Sequence, residues 1–257
     1  MRSRITSLLC FALLATGTST SHAAAPLPDC SRPGLATQPA SQGGPGFTWS
    51  IPGNGEGPPA AHFSMAVWGD SLTSAGHFID AALQVWGIEK SRVAPSYIQA
   101  GMKVRGLILP LRAHCASSGW KTGYAYREKP GADDFSKGLV SMQSNTLGDT
   151  VFADLRPPQS AARVRQLTVL YEKARPDSSL LLAVSVDGGA EQMIALSRLD
   201  ATALQITPDA PLSTMRLRLV SGQVTLHGFA PLYQEAPVAI VDSMSIPGAT
   251  LRSWSNV

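Results

Sequence analysis

Thr214-Met-Arg-Leu-Arg-Leu-Val-Ser-Gly-Gln-Val-Thr-Leu-His-Gly-Phe229 decides how most of this chain folds. Met215, Leu217 and Leu219 alternate with Arg216 and Arg218, and a period of two puts the apolar side chains on one face and the charges on the other. That is the pattern of an antiparallel strand with one wet face. Ser221-Gly222 then stands where a hairpin loop belongs, and Gln223 to Phe229 continues as the return strand. Arg163 to Tyr171, Ser179 to Val186 and Gln192 to Leu199 have the same texture: short, rich in Val, Leu and Thr, and divided by turn residues such as Asp187-Gly188-Gly189. Their spacing predicts an antiparallel β-sandwich of roughly 140 residues. No internal repeat is present.

Composition agrees with a sheet protein and excludes other classes. The chain has 257 residues, 44% hydrophobic and 15% charged, with 23 Gly and 19 Pro. Disorder, a collagen helix and a coiled coil each need a different balance. At the N-terminus, Arg2 and Arg4 precede the apolar run Leu8 to Ala15, and small residues follow up to Ala25. This predicts a secretory signal peptide over 1–23, cleaved after Ala23, and a secreted or periplasmic protein. The run is too short to span a membrane, and no later segment approaches that length. Removing it takes away two arginines and no acids, so the formal +3 of the whole chain shrinks. No basic run remains, and nucleic acid is not an expected partner. Cys30 and Cys115 survive in a compartment that permits disulfides, and a bridge or two separate thiols are both open.

The sandwich does not account for everything. Residues 24–60 are crowded with proline and glycine and predict an extended leader. Phe63 to Trp68 is a short apolar run stopped by Gly69-Asp70. After it, Leu72, Ala75, Phe78, Ile79, Ala82, Leu83 and Trp86 are spaced as one face of a helix. Strand, tight turn and helix make an α/β unit. After Pro237, Val238 to Val241 is again a continuous apolar run suited to a buried parallel strand. The expected division is therefore an α/β part formed by 61–87 and 236–257, interrupted by a sandwich over 88–235.

The turn between the first strand and its helix carries a serine. Ser71 in Gly69-Asp70-Ser71-Leu72-Thr73 stands near unpaired backbone N–H groups that can hold a developing oxyanion. The alternative is that Asp70 or Ser71 merely caps the helix. Ala66-Val-Trp-Gly-Asp-Ser-Leu-Thr73, closing a strand and opening a helix, resembles the first block of the SGNH (GDSL) hydrolases, secreted esterases and lipases built on a flavodoxin-like sheet. Ser71 matches that family's nucleophile. Ser245-Ile-Pro-Gly-Ala-Thr250, after the second apolar run, is similar to the second block, whose glycine N–H joins the oxyanion hole; Gly248 is the matching residue. The long separation of the two blocks resembles a branch of secreted bacterial SGNH enzymes, similar to peptidoglycan O-acetylesterases, in which a carbohydrate-binding-module-like jelly roll is inserted between them.

What the resemblance implies is an α/β fold of partial flavodoxin-like type with a large inserted antiparallel β-sandwich, and an esterase acting on O-acetyl groups of an envelope or extracellular glycan, or on a small ester. It implies no cofactor and no metal, and no His/Cys/carboxylate group in the sequence has ligand spacing. The family's later blocks are missing: Asn256 lacks the Gly-x-Asn context, and none of His62, His77, His114 and His227 has an Asp three residues before it. A serine without a base is a weak nucleophile. The chain is accordingly expected to be an inactive N-terminal fragment. Two alternatives stand beside it, a non-catalytic glycan-binding sandwich on a hydrolase remnant, and an O-acetyltransferase of the same fold. Trp120, Tyr124 and Tyr126, with Lys121 and Arg127, could stack on sugars, but packing of these rings against the sandwich is the favoured reading.

Overall fold

The computed structural model describes residue 30 and residues 45–51, 63–124, 139–173, 179–196 and 202–250. Within them the chain is mostly an antiparallel β-sandwich. With strands numbered along the chain, the larger sheet runs β1 (Phe47–Ser50), β12 (Ala203–Pro208), β9 (Val164–Lys173), β14 (Val224–Tyr233), β7 (Val140–Ser144) and β6 (Lys121–Tyr124), and β4 (Ile98–Gln99) also pairs with β14. The facing sheet runs β11 (Gln192–Leu196), β10 (Leu180–Val186), β13 (Thr214–Ser221), β8 (Thr150–Asp154) and β5 (Ala113–Ala116). Every pairing in the two sheets is antiparallel.

The alternation that predicts the sandwich also fills it. Met215, Leu217 and Leu219 are wholly buried, opposite Val186, Val184 and Leu182 of β10, while Arg216 and Arg218 stay partly in solvent. From the larger sheet Leu167, Val169, Tyr171, Val224, Leu226 and Phe229 enter the same core. Burying each such aliphatic side chain is worth roughly 1.5–3 kcal/mol. Leu226 and Phe229 do not share a period of two, and the register explains why both point inward. Between Leu226 and Gly228 the pairing with β9 slips by one residue, a bulge centred on His227. The turn at Asp187 is a true hairpin reversal: φ is 46° at Asp187 and 72° at Gly188. The Asp187 carboxylate then accepts from the N–H groups of Ser213 and Thr214 at 2.9 and 2.7 Å.

One feature of the leader differs from the expectation and another settles an open alternative. Phe47–Ser50 is an edge strand, antiparallel to β12, with Phe47 in the core. Four residues are too few to show a period, so the pattern carried no sign of it. Cys30 is bridged to Cys115 on β5, with the Cα atoms 5.2 Å apart. The predicted signal peptide lies outside the described residues, and no described helix is long and apolar enough to cross a membrane.

A third, parallel sheet carries the rest: β2 (Phe63–Val67), β15 (Ala239–Ser243) and β3 (Val93–Ala94), with β15 in the middle. Val93 and Ala94 lie within the segment that the sequence allots to the sandwich, yet they pair here. The expected single helix is two, α1 (Ser71–Ser74) and α2 (His77–Val85), because Gly76 between them is left-handed at φ 79°. The break turns the apolar stripe. Leu83 is the buried residue of α2, Phe63 and Trp86 meet edge to face at 5.2 Å, and Leu72, Phe78, Val85 and Trp86 are exposed.

Candidate active site

The site residues lie where the two parallel strands β2 and β15 end side by side, Val67 opposite Ser243. Ligand sites of parallel α/β sheets form at this carboxyl end. The chain leaves β2 through Trp68 and Gly69 and turns into α1. Gly69 permits the turn because a Cβ there would lie 2.2 Å from Thr73 Oγ1. Asp70 is the N-cap: its backbone is extended, and its carboxylate accepts from the Leu72 N–H at 2.9 Å. Ser71 is thus the first helical residue, exposed to solvent, and no group among the described residues holds its hydroxyl. The capping duty falls to Asp70 and not to Ser71.

The second loop follows β15 and is laced to the first by its backbone. The Met244 N–H donates to the Val67 carbonyl at 2.8 Å, and the Ile246 N–H to the Gly69 carbonyl at 3.0 Å. Ser245 and Ile246 are fully buried beneath this seam. Gly248 follows with φ 85° and nothing within 4 Å of where a Cβ would be, so conformation and not crowding asks for glycine. Neither the Ser71 nor the Gly248 N–H donates to a backbone group among the described residues.

Asp242, near the end of β15, accepts from the Ser96 and Tyr97 N–H groups at 2.7 and 2.9 Å and from the Ser96 hydroxyl. Burial, and secondarily the Asp242 charge, hold the phenols of Tyr97 and Tyr233 well above the usual tyrosine range. Both therefore stay neutral donors, Tyr97 to the His227 carbonyl at 2.7 Å and Tyr233 to the Leu155 carbonyl at 2.9 Å. None of these residues was singled out by the sequence. Asp242 at a strand end offered a weak cue and Gln99, which donates to the Ser245 carbonyl, offered none.

The described histidines, His77, His114 and His227, do not gather at Ser71, and His62 lies outside the described residues. His77 opens α2 and faces an open cleft with Asp80, Gln84 and Lys90. His114 lies on β5, where burial lowers its pKa, and His227 on β14 is 3.5 Å from Glu172. Of the aromatic cluster, Trp120 and Tyr124 pack against the sandwich. Trp120 is 2% exposed and donates its indole N–H to the Thr150 carbonyl at 3.1 Å, and Tyr124 rests on the core. Tyr126 and Arg127 lie outside the described residues.

No family model matches the chain. No curated protein matches it either. Among solved structures, one described as a peptidoglycan O-acetylesterase is similar, with a TM-score of 0.51 and 16% identity over 76% of this chain. The chain spans about half of that structure, 50% of its length. CsCBM6-3 from Clostridium stercorarium, in complex with cellobiose, matches 56% of this chain and 98% of its own at a TM-score of 0.34 and 14% identity. A family 6 carbohydrate-binding module matches 57% and 99% at 0.33 and 14%. At such identities the first likeness is one of fold alone.

Proposed function

We propose that the chain is the N-terminal part of a secreted SGNH-type serine esterase that removes O-acetyl groups from an envelope or extracellular carbohydrate. One observation carries the reading: Asp70 takes the cap, so the exposed Ser71 hydroxyl has no structural task among the described residues, at the mouth of a parallel sheet and beside a loop holding a left-handed glycine. In this reading Ser71 Oγ attacks the acetyl carbonyl carbon as a base removes its proton. The Ser71 and Gly248 N–H groups hold the oxyanion, and each such donor is worth about 10²–10³ in kcat. The C–O bond to the sugar breaks, the proton passes to the departing sugar oxygen, and water then releases acetate from the acetyl-serine.

The proposed division follows the sequence, with a signal peptide over 1–23, a leader over 24–60, the hydrolase part in 61–87 and 236–257 and the sandwich over 88–235, except that Phe47–Ser50 adds a strand to the sandwich and Val93–Ala94 one to the parallel sheet. The base and its acid come from polypeptide that these 257 residues do not include. Trp68, Leu72, Phe78, Val85 and Trp86 are all more than half exposed around a three-stranded parallel sheet. Parallel sheets are normally covered on both faces, which supports a larger α/β domain.

A second reading, a glycan-binding sandwich on a non-catalytic remnant, draws on the missing Asp-x-x-His block. Acetate release from O-acetylated peptidoglycan separates the two, measured for this chain and for a version carrying any polypeptide encoded downstream. The esterase reading expects release by the longer version and its loss in Ser71→Ala. Release that survives Ser71→Ala refutes the nucleophile, and glycan retention without turnover by either version favours the module.

A further inference from the structure

The loop from Gln99 to Leu111 joins no regular element beyond the end of β4, yet Ala100, Met102, Val104, Leu107, Leu109 and Leu111 are buried, and Ile108 is the apolar side chain of the loop left exposed. It is fastened to the sandwich at two places. At the His227 bulge, the His227 carbonyl accepts from the Ala100 N–H at 3.1 Å as well as from Tyr97. Further along, the Lys103 ammonium is enclosed by the carbonyls of Ser117, Ser118 and Trp120 at 3.2, 2.8 and 2.8 Å. A lysine held by three main-chain oxygens is a fixed anchor, not a wandering surface charge.

The same loop touches both halves of the candidate site. Gln99 is 1% exposed and its Nε2 donates to the Ser245 carbonyl at 3.0 Å, inside the loop that ends at Gly248. The Gly106 carbonyl accepts from the Ser74 hydroxyl at 3.3 Å, and the Ile108 N–H donates to the Ser74 carbonyl at 3.1 Å, so it also grips the last residue of α1. A Cβ on Gly106 would come within 3.6 Å of Pro247, the residue before Gly248. The cost of the arrangement is visible: Gln99 Oε1 is buried with no partner. A buried amide with one of its two polar atoms unpartnered is poorly explained by stability alone.

We propose that the 99–111 loop is a strap that sets the Ser71 turn and the Gly248 loop in register, with Gln99 and Ser74 as positioning residues. This rests on the reading of Ser71 and Gly248 as the reacting pair. The sandwich is then part of the site's framework and not a tethered appendage. Gln99→Leu removes the unmet Oε1 as it orphans the Ser245 carbonyl, and these two effects on stability oppose each other. The distinguishing effect is local.

Amide hydrogen exchange on the whole chain reads it without any need for turnover. In Gln99→Leu the Ile246 and Met244 N–H groups should exchange about tenfold or more faster, while Leu217 and Val169 in the sandwich keep their protection. Ser74→Ala should loosen the Ile108 N–H in the same selective way. Gln99→Glu supplies the rescue: a protonated carboxyl donates to the Ser245 carbonyl and an ionised one does not. Ile246 protection, normalised to the sandwich amides, should be near wild type at low pH and fall as pH rises. Unchanged Ile246 exchange in Gln99→Leu together with a pH-flat Gln99→Glu overturns the strap. In a catalytically complete version, Gln99→Leu should lower kcat roughly 10- to 100-fold at unchanged KM. Ser71-dependent turnover indifferent to Gln99 would sink the strap and spare the esterase. Strap-like exchange with no Ser71-dependent turnover would do the reverse.

Discussion

Replacing both Cys30 and Cys115 by alanine should be the most destabilising pair of changes far from the candidate site. The bridge closes a loop over a sequence separation of 85, which includes β1, the strands β2 and β3 and both helices. In the chain-entropy account, a cross-link of that span costs the unfolded state about 4.6 kcal/mol of freedom. For a domain of this size the loss corresponds to roughly 9–18 °C in Tm. Both residues are buried, Cys30 at 4% and Cys115 at 0% exposure, so reductant will reach the bridge slowly and the double variant is the cleaner perturbation. The assay is thermal unfolding followed by circular dichroism, with thiol counting on native protein lacking residues 1–23. The expected outcome is no free thiol in the parent and a Tm drop of the stated order in the variant. Two titratable thiols in the native parent, or a double variant that melts within about 2 °C of it, would refute the account.

Further measurements test other parts of the structure. Asp70→Ala should cost about 1 kcal/mol in urea unfolding through loss of the cap, whereas Ser71→Ala should stay within about 0.5 kcal/mol; equal losses would mean that Ser71 is itself structural. Gly69→Ala brings a Cβ to 2.2 Å from Thr73 Oγ1 and 2.5 Å from Thr73 Cβ and should lower stability in urea unfolding, and Thr73→Ala should not restore it in the double variant because that Cβ remains. His114 is held below its usual value of 6.5 by burial, and its Nδ1 has no partner. The unfolded chain then takes up the proton first, so this contribution to stability is complete above that value and is lost as pH falls below it. His114→Phe should flatten the decline of Tm between about pH 7 and pH 5, and an unchanged slope would count against a neutral buried imidazole. Glu191, kept below the usual carboxylate range chiefly by its hydrogen bond from Arg218, adds stability above that range and loses it on further acidification. Both side chains are part exposed, so a double-mutant cycle should return about 1 kcal/mol or less.

How much was legible follows from the range of each signal. The Met215–Leu219 alternation, the Asp187 turn and the apolar runs at 63–68 and 238–241 are local patterns of burial, and strands are found at 214–221, 63–67 and 239–243. The helix after Ser71 was half legible: its spacing was helical, but a left-handed Gly76 split it and exposed Leu72 and Phe78. β1 and the two-residue pairing of Val93–Ala94 were not foreseen, since strands this short have no period, and β12 was missed although Leu204 and Ile206 alternate into the core.

At the candidate site the same division holds. The sequence by itself determined the chemistry on offer, a serine after Gly-Asp at a strand end and a glycine in a second such turn, because residue type and local turn geometry are written in neighbouring letters. Only the tertiary structure decided that Asp70 takes the cap, that Met244 and Ile246 lace the two turns together, and that Gln99 and Ser74 tie both to the sandwich. Those are hydrogen bonds between segments far apart in the chain. Whether two such groups meet depends on how all the intervening strands stack, which no local pattern encodes.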